Sequence, residues 1–307
     1  MIWAILVPIL SVLILLTIGL IIFLNIAANK IVDNSTHPKF KDRKSHREQL
    51  KLDEIPEYNI FERKPFTITL RDGYVINADV SINDPKKFII ICHGHGSSRE
   101  GMIKYCPVYY KLGYSIVLFD ERGHGDNVRT YCTMGDVESK DLLEIIDYVY
   151  TTFGDDIELA LHGTSLGGAT VLLASQHHPR IKFIVSDCAY SSVKNLAIDI
   201  IKSHHAPKSL ILPLMNHRLK TKYHTCLENM SPVDAVKENT IPVLFIHGAK
   251  DTFILPHHCD LLYESATAYK EQVIFENGIH GHSIDSDFEK YSNVVSTFIE
   301  KVHNLQE

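Results

Sequence analysis

The chain has 307 residues, 45% of them hydrophobic and 22% charged, which is an ordinary globular composition and enough length to bury one large core. Its formal net charge of −6 argues against nucleic acid as a partner, because nucleic-acid binding needs a clustered basic surface. The six cysteines form no C-x-x-C pair and no zinc-type spacing, which predicts free thiols, a reducing compartment and no metal site.

Residues 1–29 are a candidate membrane anchor. Residues 2–24 carry no charge and are almost wholly apolar, so as a helix rising about 1.5 Å per residue they can cross a hydrocarbon core of roughly 30 Å. A cleaved signal peptide is the alternative, but no basic segment precedes the apolar run and no clear cleavage site precedes Lys30. Lysines and arginines instead cluster between residues 30 and 47. The positive-inside rule therefore favours a single-pass protein with its domain on the cytoplasmic side, the outward-facing orientation being the alternative.

Residues 30–64 are polar and rich in charge and contain Pro38 and Pro56. They predict a juxtamembrane linker, partly helical around residues 43–52. The folded domain is then expected to cover residues 65–307.

An antiparallel pair of strands is predicted to open this domain. Apolar and polar residues alternate over residues 66–70, and a second strand-like run covers residues 74–80. Asp72 and Gly73 between them favour a tight hairpin turn.

Further along the chain, short apolar runs alternate with longer stretches of helical periodicity. Such alternation predicts an α/β fold with a mostly parallel sheet and helices on both faces. Continuously apolar strands fit a sheet that is buried on both sides. The predicted strands cover residues 88–92, 115–120, 157–161, 183–187, 243–246 and 272–275.

Residues 191–240 interrupt this alternation with about fifty residues, and the run 210–215 in their middle is apolar. Long insertions in compact folds are usually functional, so the segment predicts a small helical lid. An ordinary long crossover with decorations is the alternative.

Ser165 lies at the centre of a G-x-S-x-G pattern that begins at Gly163 and ends at Gly167. The pattern alone is weak, but here it follows a predicted strand and precedes a helical stretch. A nucleophile elbow needs this strand-turn-helix context, because glycines allow the tight turn that exposes the serine hydroxyl. Ser165 is therefore the predicted nucleophile.

A serine nucleophile needs a base, and the base needs a third group to orient it. Asp251 follows the predicted strand 243–246, and His280 follows the next one, so the chain order is serine, acid, histidine. Two alternatives are open at this point. Asp187 ends the preceding parallel strand and is a second candidate acid, and His282 competes with His280.

Backbone N–H groups must stabilise the oxyanion that forms when a serine attacks a carbonyl carbon. Leu166 follows the nucleophile and is one expected donor, and His95 in the glycine-rich loop 93–98 is the other. A phosphate-binding turn is the alternative, although no GxxxxGK[ST] or GxGxxG pattern is present. Asp120 and Arg122, in the loop after the next strand, are expected to tie that loop through charge-assisted hydrogen bonds.

Taken together, five ordered motifs resemble the α/β-hydrolase superfamily, and most closely its membrane-anchored bacterial members related to serine aminopeptidases and prolyl-oligopeptidase-like enzymes. The resemblance covers residues 61–302 and implies Ser165, Asp251 and His280 as a catalytic triad, with the amides of Leu166 and His95 as the oxyanion hole. Thr164 and Asn127 depart from residues common in relatives, so the resemblance implies no particular substrate. The motifs are His93-Gly94-His95-Gly96-Ser97-Ser98, the D-x-R-G-H-G run 120–125, the elbow 163–168, His247-Gly248-x-x-Asp251 and His280-Gly281-x-Ser283.

These features together predict a membrane-tethered serine hydrolase that acts through an acyl-enzyme. A membrane anchor beside an apolar lid favours lipophilic carboxylic esters, with peptidase or thioesterase activity as alternatives within the same chemistry. A non-enzymatic binding module at the membrane is the alternative of another class. No cofactor, no metal and no obligate protein partner is expected, and the expected partners are a small-molecule or lipid acyl substrate and the membrane.

Overall fold

A computed structural model describes residues 2–32, 48, 50, 61–203 and 207–305. The predicted linker 30–64 and its short helix fall mostly outside the described residues. Within the described part eight strands form a single sheet. They are β1 Lys64–Thr69, β2 Val75–Ser81, β3 Asp84–Cys92, β4 Tyr114–Phe119, β5 Glu158–Thr164, β6 Ile181–Asp187, β7 Val243–Gly248 and β8 Lys270–Phe275.

The strands lie in the order β1-β2-β4-β3-β5-β6-β7-β8. The pairs β1–β2 and β2–β4 are antiparallel, and the remaining neighbours are parallel. The predicted hairpin is confirmed: Gly73 has φ +84°, and the Tyr74 N–H donates to the Asp72 carboxylate at 2.9 Å. All parallel strands end at the same edge of the sheet, where the loops that carry the candidate site residues gather.

Helices cover both faces of the sheet, as the sequence predicts. They are α1 Ile2–Val32, α2 Cys106–Lys111, α3 Asp136–Phe153, α4 Leu166–Ser175, α5 Val193–Ser203, α6 Lys208–Tyr223, α7 Pro232–Glu238, α8 His257–Ser265, α9 Ser283–Ser286 and α10 Phe288–Asn304, with a short 3-10 helix Arg99–Tyr105 before α2. One core packs α3 and α4 against the sheet through Ile145 and Val171, and the other packs α2 and α10 through Tyr109 and Phe298.

The insertion at residues 191–240 is helical and contains α5, α6 and α7. It has its own small core, in which Met215 and Leu219 of α6 pack with Val193 of α5 and with Ile254 from the loop after β7. The insertion therefore rests on the end of the sheet where β7 stops.

The N-terminal helix α1 has the length and composition of a membrane span. Its segment Ile5–Phe23 is apolar and unburied, and a membrane anchor and a signal sequence share these properties. Leu20 of this helix packs against Ile201 and Ile211 of the helical insertion.

Glu121 is a fully buried carboxyl group in the loop after β4. Within the described residues neither of its side-chain oxygens has a hydrogen-bond partner. Burial, together with the nearby carboxylates of Glu138 and Asp141, raises the pKa of Glu121 well above its ordinary value. Burial therefore favours the neutral form of Glu121 in the folded protein.

The buried carboxyl group of Glu121 should lower the free energy of unfolding as the pH rises, and Glu121→Gln should remove this effect. The pKa is higher in the folded state, so the stability gained from binding this proton is complete below the unfolded pKa and is lost as the pH rises. We expect the free energy of unfolding of Glu121→Gln, relative to wild type, to grow between pH 5 and pH 8 by up to about 1.4 kcal/mol per pH unit. Urea denaturation followed by circular dichroism at three pH values measures the difference.

The matched control is Glu264→Gln, because Glu264 is an exposed glutamate of α8. Glu264→Gln should change the free energy of unfolding only slightly, and by the same amount at every pH. A Glu121→Gln difference that is constant across this range would contradict the raised pKa of Glu121.

Candidate active site

The turn between β5 and α4 places Ser165 at the top of the sheet in a strained backbone conformation, with φ 58° and ψ −116°. Two glycines make this turn possible. A Cβ on Gly163 would lie 2.1 Å from the carbonyl oxygen of Gly167, and one on Gly167 would lie 2.2 Å from that of Cys92. Side chains at either position would force the turn apart, so the G-x-S-x-G pattern is a steric requirement here.

A continuous chain of hydrogen bonds links the three predicted triad residues. Ser165 Oγ lies 2.9 Å from His280 Nε2, and His280 Nδ1 lies 2.7 Å from Asp251 Oδ2. Asp251 follows β7 and His280 follows β8, so the two loops meet above the elbow. Both residues are buried, with Ser165 8% exposed and Asp251 2% exposed.

The surroundings of Asp251 favour its charged form. Its Oδ1 accepts the backbone N–H groups of Phe253 and Ile254, each at 2.9 Å. Burial raises the pKa of Asp251, but the hydrogen bonds from His247, His280 and the backbone outweigh it and hold this pKa below its usual range. Asp251 is therefore an anion at neutral pH and can orient an imidazole.

His247, the last but one residue of β7, is a second histidine on the same carboxylate. Its Nε2 lies 3.2 Å from Asp251 Oδ2 and 2.8 Å from the carbonyl oxygen of Ile254, and since both are acceptors this nitrogen carries a proton. Burial opposes the charge, but the hydrogen bond with Asp251 raises the pKa of His247 to about 10. His247 belongs to one of the sequence motifs but has no predicted role there, although its i,i+4 spacing from Asp251 is visible in the sequence.

We expect His247→Gln to lower kcat/KM for an ester substrate by about tenfold, because Asp251 loses one of the groups that fix its orientation. Steady-state rates measure the loss.

His177→Gln is the control, since His177 is an exposed histidine just beyond the far end of α4. It should leave the rate unchanged. A His247→Gln rate within about twofold of the wild-type rate would limit His247 to a structural role.

The alternative acid and the alternative base lie elsewhere. Asp187 at the end of β6 accepts hydrogen bonds at 3.2 Å from the hydroxyls of Tyr105 and Tyr291, beneath the elbow. His282 is exposed and its Nδ1 lies 2.5 Å from Asp285. Neither residue belongs to the hydrogen-bonded chain that reaches the serine.

The two predicted oxyanion donors lie on either side of Ser165. Leu166 is the first residue of α4, where backbone N–H groups have no acceptor within the helix. The loop that carries His95 passes close to the serine, since a Cβ on Gly94 would lie 3.3 Å from Ser165 Cβ. The backbone therefore approaches the nucleophile where the prediction requires it, and the donor role of the His95 amide stays a prediction.

His93 holds that loop in place. Its Nε2 accepts the backbone N–H of Glu121 at 2.9 Å, so its Nδ1 carries the proton and donates to the carbonyl oxygen of Gly94 at 2.7 Å. The ring thereby joins the glycine-rich loop after β3 to the charged loop after β4.

Charge-assisted hydrogen bonds tie the loop after β4, as expected for Asp120 and Arg122. Asp120 accepts from the side chain of Arg99 and, at 2.8 and 3.0 Å, from the backbone N–H groups of Arg99 and Asp126. Arg122 forms a bidentate salt bridge with Asp141, with N···O distances of 2.7 and 2.8 Å. The sequence alone does not identify Arg99 and Asp141 as the partners.

Comparison with known proteins agrees with the fold. The model of the family described as serine aminopeptidase, S33, matches residues 83–239, which include the elbow and the helical insertion. The chain is 27% identical over 259 residues to the uncharacterized protein YqkD of Bacillus subtilis (strain 168), covering 83% of this chain and 85% of that protein. It is 24% identical over 249 residues to the caffeoylshikimate esterase of Arabidopsis thaliana, covering 68% of this chain and 75% of the esterase.

Among solved structures, the esterase Pf2001 of Pyrococcus furiosus has the same fold. It superimposes with a TM-score of 0.65 at 22% identity, over 80% of this chain and 94% of the esterase. Fold, family model and relatives agree that the chain is a hydrolase, and it belongs to the serine aminopeptidase, S33, family of the α/β-hydrolase superfamily.

Proposed function

We propose that the chain is a membrane-tethered serine hydrolase that cleaves lipophilic carboxylic esters, with Ser165, His280 and Asp251 as its catalytic triad. The observation that carries the proposal is the hydrogen-bonded chain from Ser165 Oγ through both nitrogens of His280 to Asp251, at 2.9 and 2.7 Å. These distances are within the range over which a base can take the proton of a serine hydroxyl.

In the first half of the proposed reaction, His280 Nε2 takes the Ser165 proton while Oγ attacks the ester carbonyl carbon. Asp251 accepts the hydrogen bond of His280 Nδ1–H and stabilises the imidazolium. The Leu166 and His95 amides donate to the oxyanion of the tetrahedral intermediate. His280 then gives its proton to the departing alkoxide, which leaves as the alcohol and leaves the acyl group on Ser165.

Water completes the reaction. His280 removes a proton from a water molecule that attacks the acyl carbon, the bond to Ser165 Oγ breaks, and Oγ regains its proton from His280. The net result is one ester and one water converted into a carboxylic acid and an alcohol.

Apolar side chains around the entrance support a lipophilic substrate. Phe253 is 64% exposed and its ring lies edge-on to the His280 ring, with centroids 4.9 Å apart. Ile279, which precedes His280, is 52% exposed. Both side chains can cover an acyl chain and remove it from water.

The helical insertion adds a second apolar surface next to the anchor. Leu210 and Leu214 of α6 are exposed, and Leu20 of α1 packs against Ile211 of the same helix. If α1 remains as a membrane anchor, the insertion lies beside the end of the membrane span, where a lipophilic ester would enter from the bilayer. All six cysteines are free thiols, which supports our expectation of a cytoplasmic domain.

A panel of chromogenic substrates tests the proposal. We expect kcat/KM for p-nitrophenyl esters to rise at least about tenfold from acetate to octanoate, because each buried methylene contributes up to about 0.8 kcal/mol. Phe253→Ala should lower octanoate turnover more than acetate turnover. Ser165→Ala protein gives the background rate for every substrate.

Aminoacyl p-nitroanilides and an acyl thioester in the same panel separate the rival activities. A preference for an anilide over every ester would replace the esterase by a peptidase, and a preference for the thioester would replace it by a thioesterase. Turnover of no substrate above the Ser165→Ala background would favour a non-enzymatic binding module.

A further inference from the structure

Asp199 of α5 and the adjacent histidines His257 and His258 at the start of α8 form a cluster outside the proposed active site. The Nε2 atoms of His257 and His258 lie 3.0 and 3.2 Å from Asp199 Oδ2. One ligand atom from each residue lies within 4.8 Å of the other two. The cluster joins the helical insertion to the body of the domain.

The polar atoms of this cluster are close but do not pair as ordinary hydrogen bonds. His258 is fully buried, yet within the described residues neither its Nε2 nor Asp199 Oδ2 has a hydrogen-bond partner. The distances between these atoms are short enough for hydrogen bonds, so it is the hydrogen-bond angle at the ring nitrogen that is unfavourable. Such poorly directed contacts satisfy the two buried atoms only weakly, and a common ligand faced by all three atoms would satisfy them better.

The other nitrogen of His258, Nδ1, contacts Ser191. It lies 2.8 Å from Ser191 Oγ, which also accepts from Asn195 Nδ2 at 2.9 Å. It also accepts the Ser191 backbone N–H at 3.1 Å, so in the structure as it stands Nδ1 is the acceptor and Nε2 carries the proton. Metal binding requires the other tautomer, in which Nδ1–H donates to the Ser191 hydroxyl and Nε2 presents its lone pair to the cluster, as in histidines that bind metals.

We propose that Asp199, His257 and His258 bind one zinc-class divalent ion, which cross-links α5 of the helical insertion to α8. Tetrahedral zinc with bonds of about 2.0 Å separates neighbouring ligand atoms by about 3.3 Å. The observed separations of 3.0 and 3.2 Å match that spacing. Two imidazoles and one carboxylate leave a fourth position for water and suit zinc, cobalt or nickel rather than calcium or magnesium.

The site has an entry path and could not have been recognised from the sequence. The side chain of His257 is 45% exposed, so an ion can reach the cluster from solvent and this ring can turn to complete it. Asp199 and the two histidines come from distant segments of the chain, and the spacing that identifies zinc sites in a sequence is absent. The sequence alone therefore predicts no metal site.

Metal binding to the chelator-treated full chain in detergent tests the proposal. We expect one equivalent of Zn²⁺ per chain, and a rise in melting temperature of about 5 °C or more at a hundredfold excess over Kd. Co²⁺ should bind at the same site and produce the strong visible absorption of four-coordinate cobalt. Mg²⁺ and Ca²⁺ should produce neither effect.

Asp199→Asn and His257→Asn should weaken Zn²⁺ binding by at least about 100-fold and abolish the cobalt absorption, because each removes a direct ligand. Both side chains are partly exposed, so these variants should fold. His217→Asn changes an exposed histidine of α6 and controls for non-specific binding by a chain with eighteen histidines. Wild type without stoichiometric Zn²⁺, or ligand variants that bind as tightly as His217→Asn, would overturn the proposal.

Discussion

Ser165→Ala is expected to reduce kcat/KM for a short p-nitrophenyl ester by about 10⁴-fold or more, because the variant has no oxygen nucleophile to form an acyl-enzyme. The residual rate should reflect only binding and the oxyanion donors. Alanine fits the turn sterically as well as serine, and Ser165 uses its backbone N–H to donate to the Asp187 carbonyl oxygen at 2.8 Å, a bond that alanine keeps.

A control substitution at a second buried serine distinguishes the loss of the nucleophile from a loss of folded structure. Ser175 lies at the opposite end of α4 and is buried, and its hydroxyl donates to the Leu172 carbonyl oxygen at 2.7 Å. Ser175→Ala should keep activity within about twofold per folded molecule. A Ser165→Ala enzyme with more than a tenth of the wild-type rate would refute the nucleophile, whatever the control does.

Asp251→Asn should have the second largest effect, a loss in kcat of about 10³- to 10⁴-fold. Asparagine keeps the shape but removes the negative charge that stabilises the imidazolium of His280. It also presents an N–H₂ group where Asp251 Oδ2 accepts, so the ring can be held in the wrong tautomer. Rates at saturating substrate measure the loss in kcat.

Asp187→Asn is the most informative control for Asp251→Asn, because Asp187 is the other carboxylate at the end of a neighbouring parallel strand. It is bonded to tyrosine hydroxyls and not to His280, so its replacement should alter stability more than kcat per folded molecule. If Asp187→Asn lost as much kcat as Asp251→Asn, or if Asp251→Asn lost less than tenfold, the assignment of the acid would be wrong.

Much of the fold was predictable because local patterns agree with the tertiary structure. Strand runs of apolar residues coincide with buried strands, as in β4, where every residue is buried. Asp72 and Gly73 identify a hairpin turn whose geometry depends on glycine at positive φ. The elbow was recognisable for the same reason: Gly163 and Gly167 have no room for a side chain, so the constraint is visible in the sequence.

The order of the strands and the partners of charged residues were not predictable. Local patterns identify strands but do not specify that β4 lies between β2 and β3, which depends on packing across the whole sheet. Asp120 pairs with Arg99, which lies in a separate short helix, and no pattern in the sequence links the two. Interactions between distant segments leave no local signal.

In the candidate site, too, some contacts were predictable from the sequence and others were not. Chain order and strand ends brought Asp251 and His280 together in the prediction, whereas the contact of His247 with Asp251 depends on how the loop after β7 folds back. The cluster of Asp199 with His257 and His258 depends on where the helical insertion packs, which the sequence does not specify.

The most direct test of the central claim is covalent labelling of the folded full chain with a fluorophosphonate probe, followed by peptide mass spectrometry. The probe phosphonylates only a serine that a neighbouring base activates. We predict one label per chain, on Ser165, absent after denaturation and greatly slowed in His280→Ala. Folded wild-type protein that takes no label, or takes it on another residue, would contradict the account.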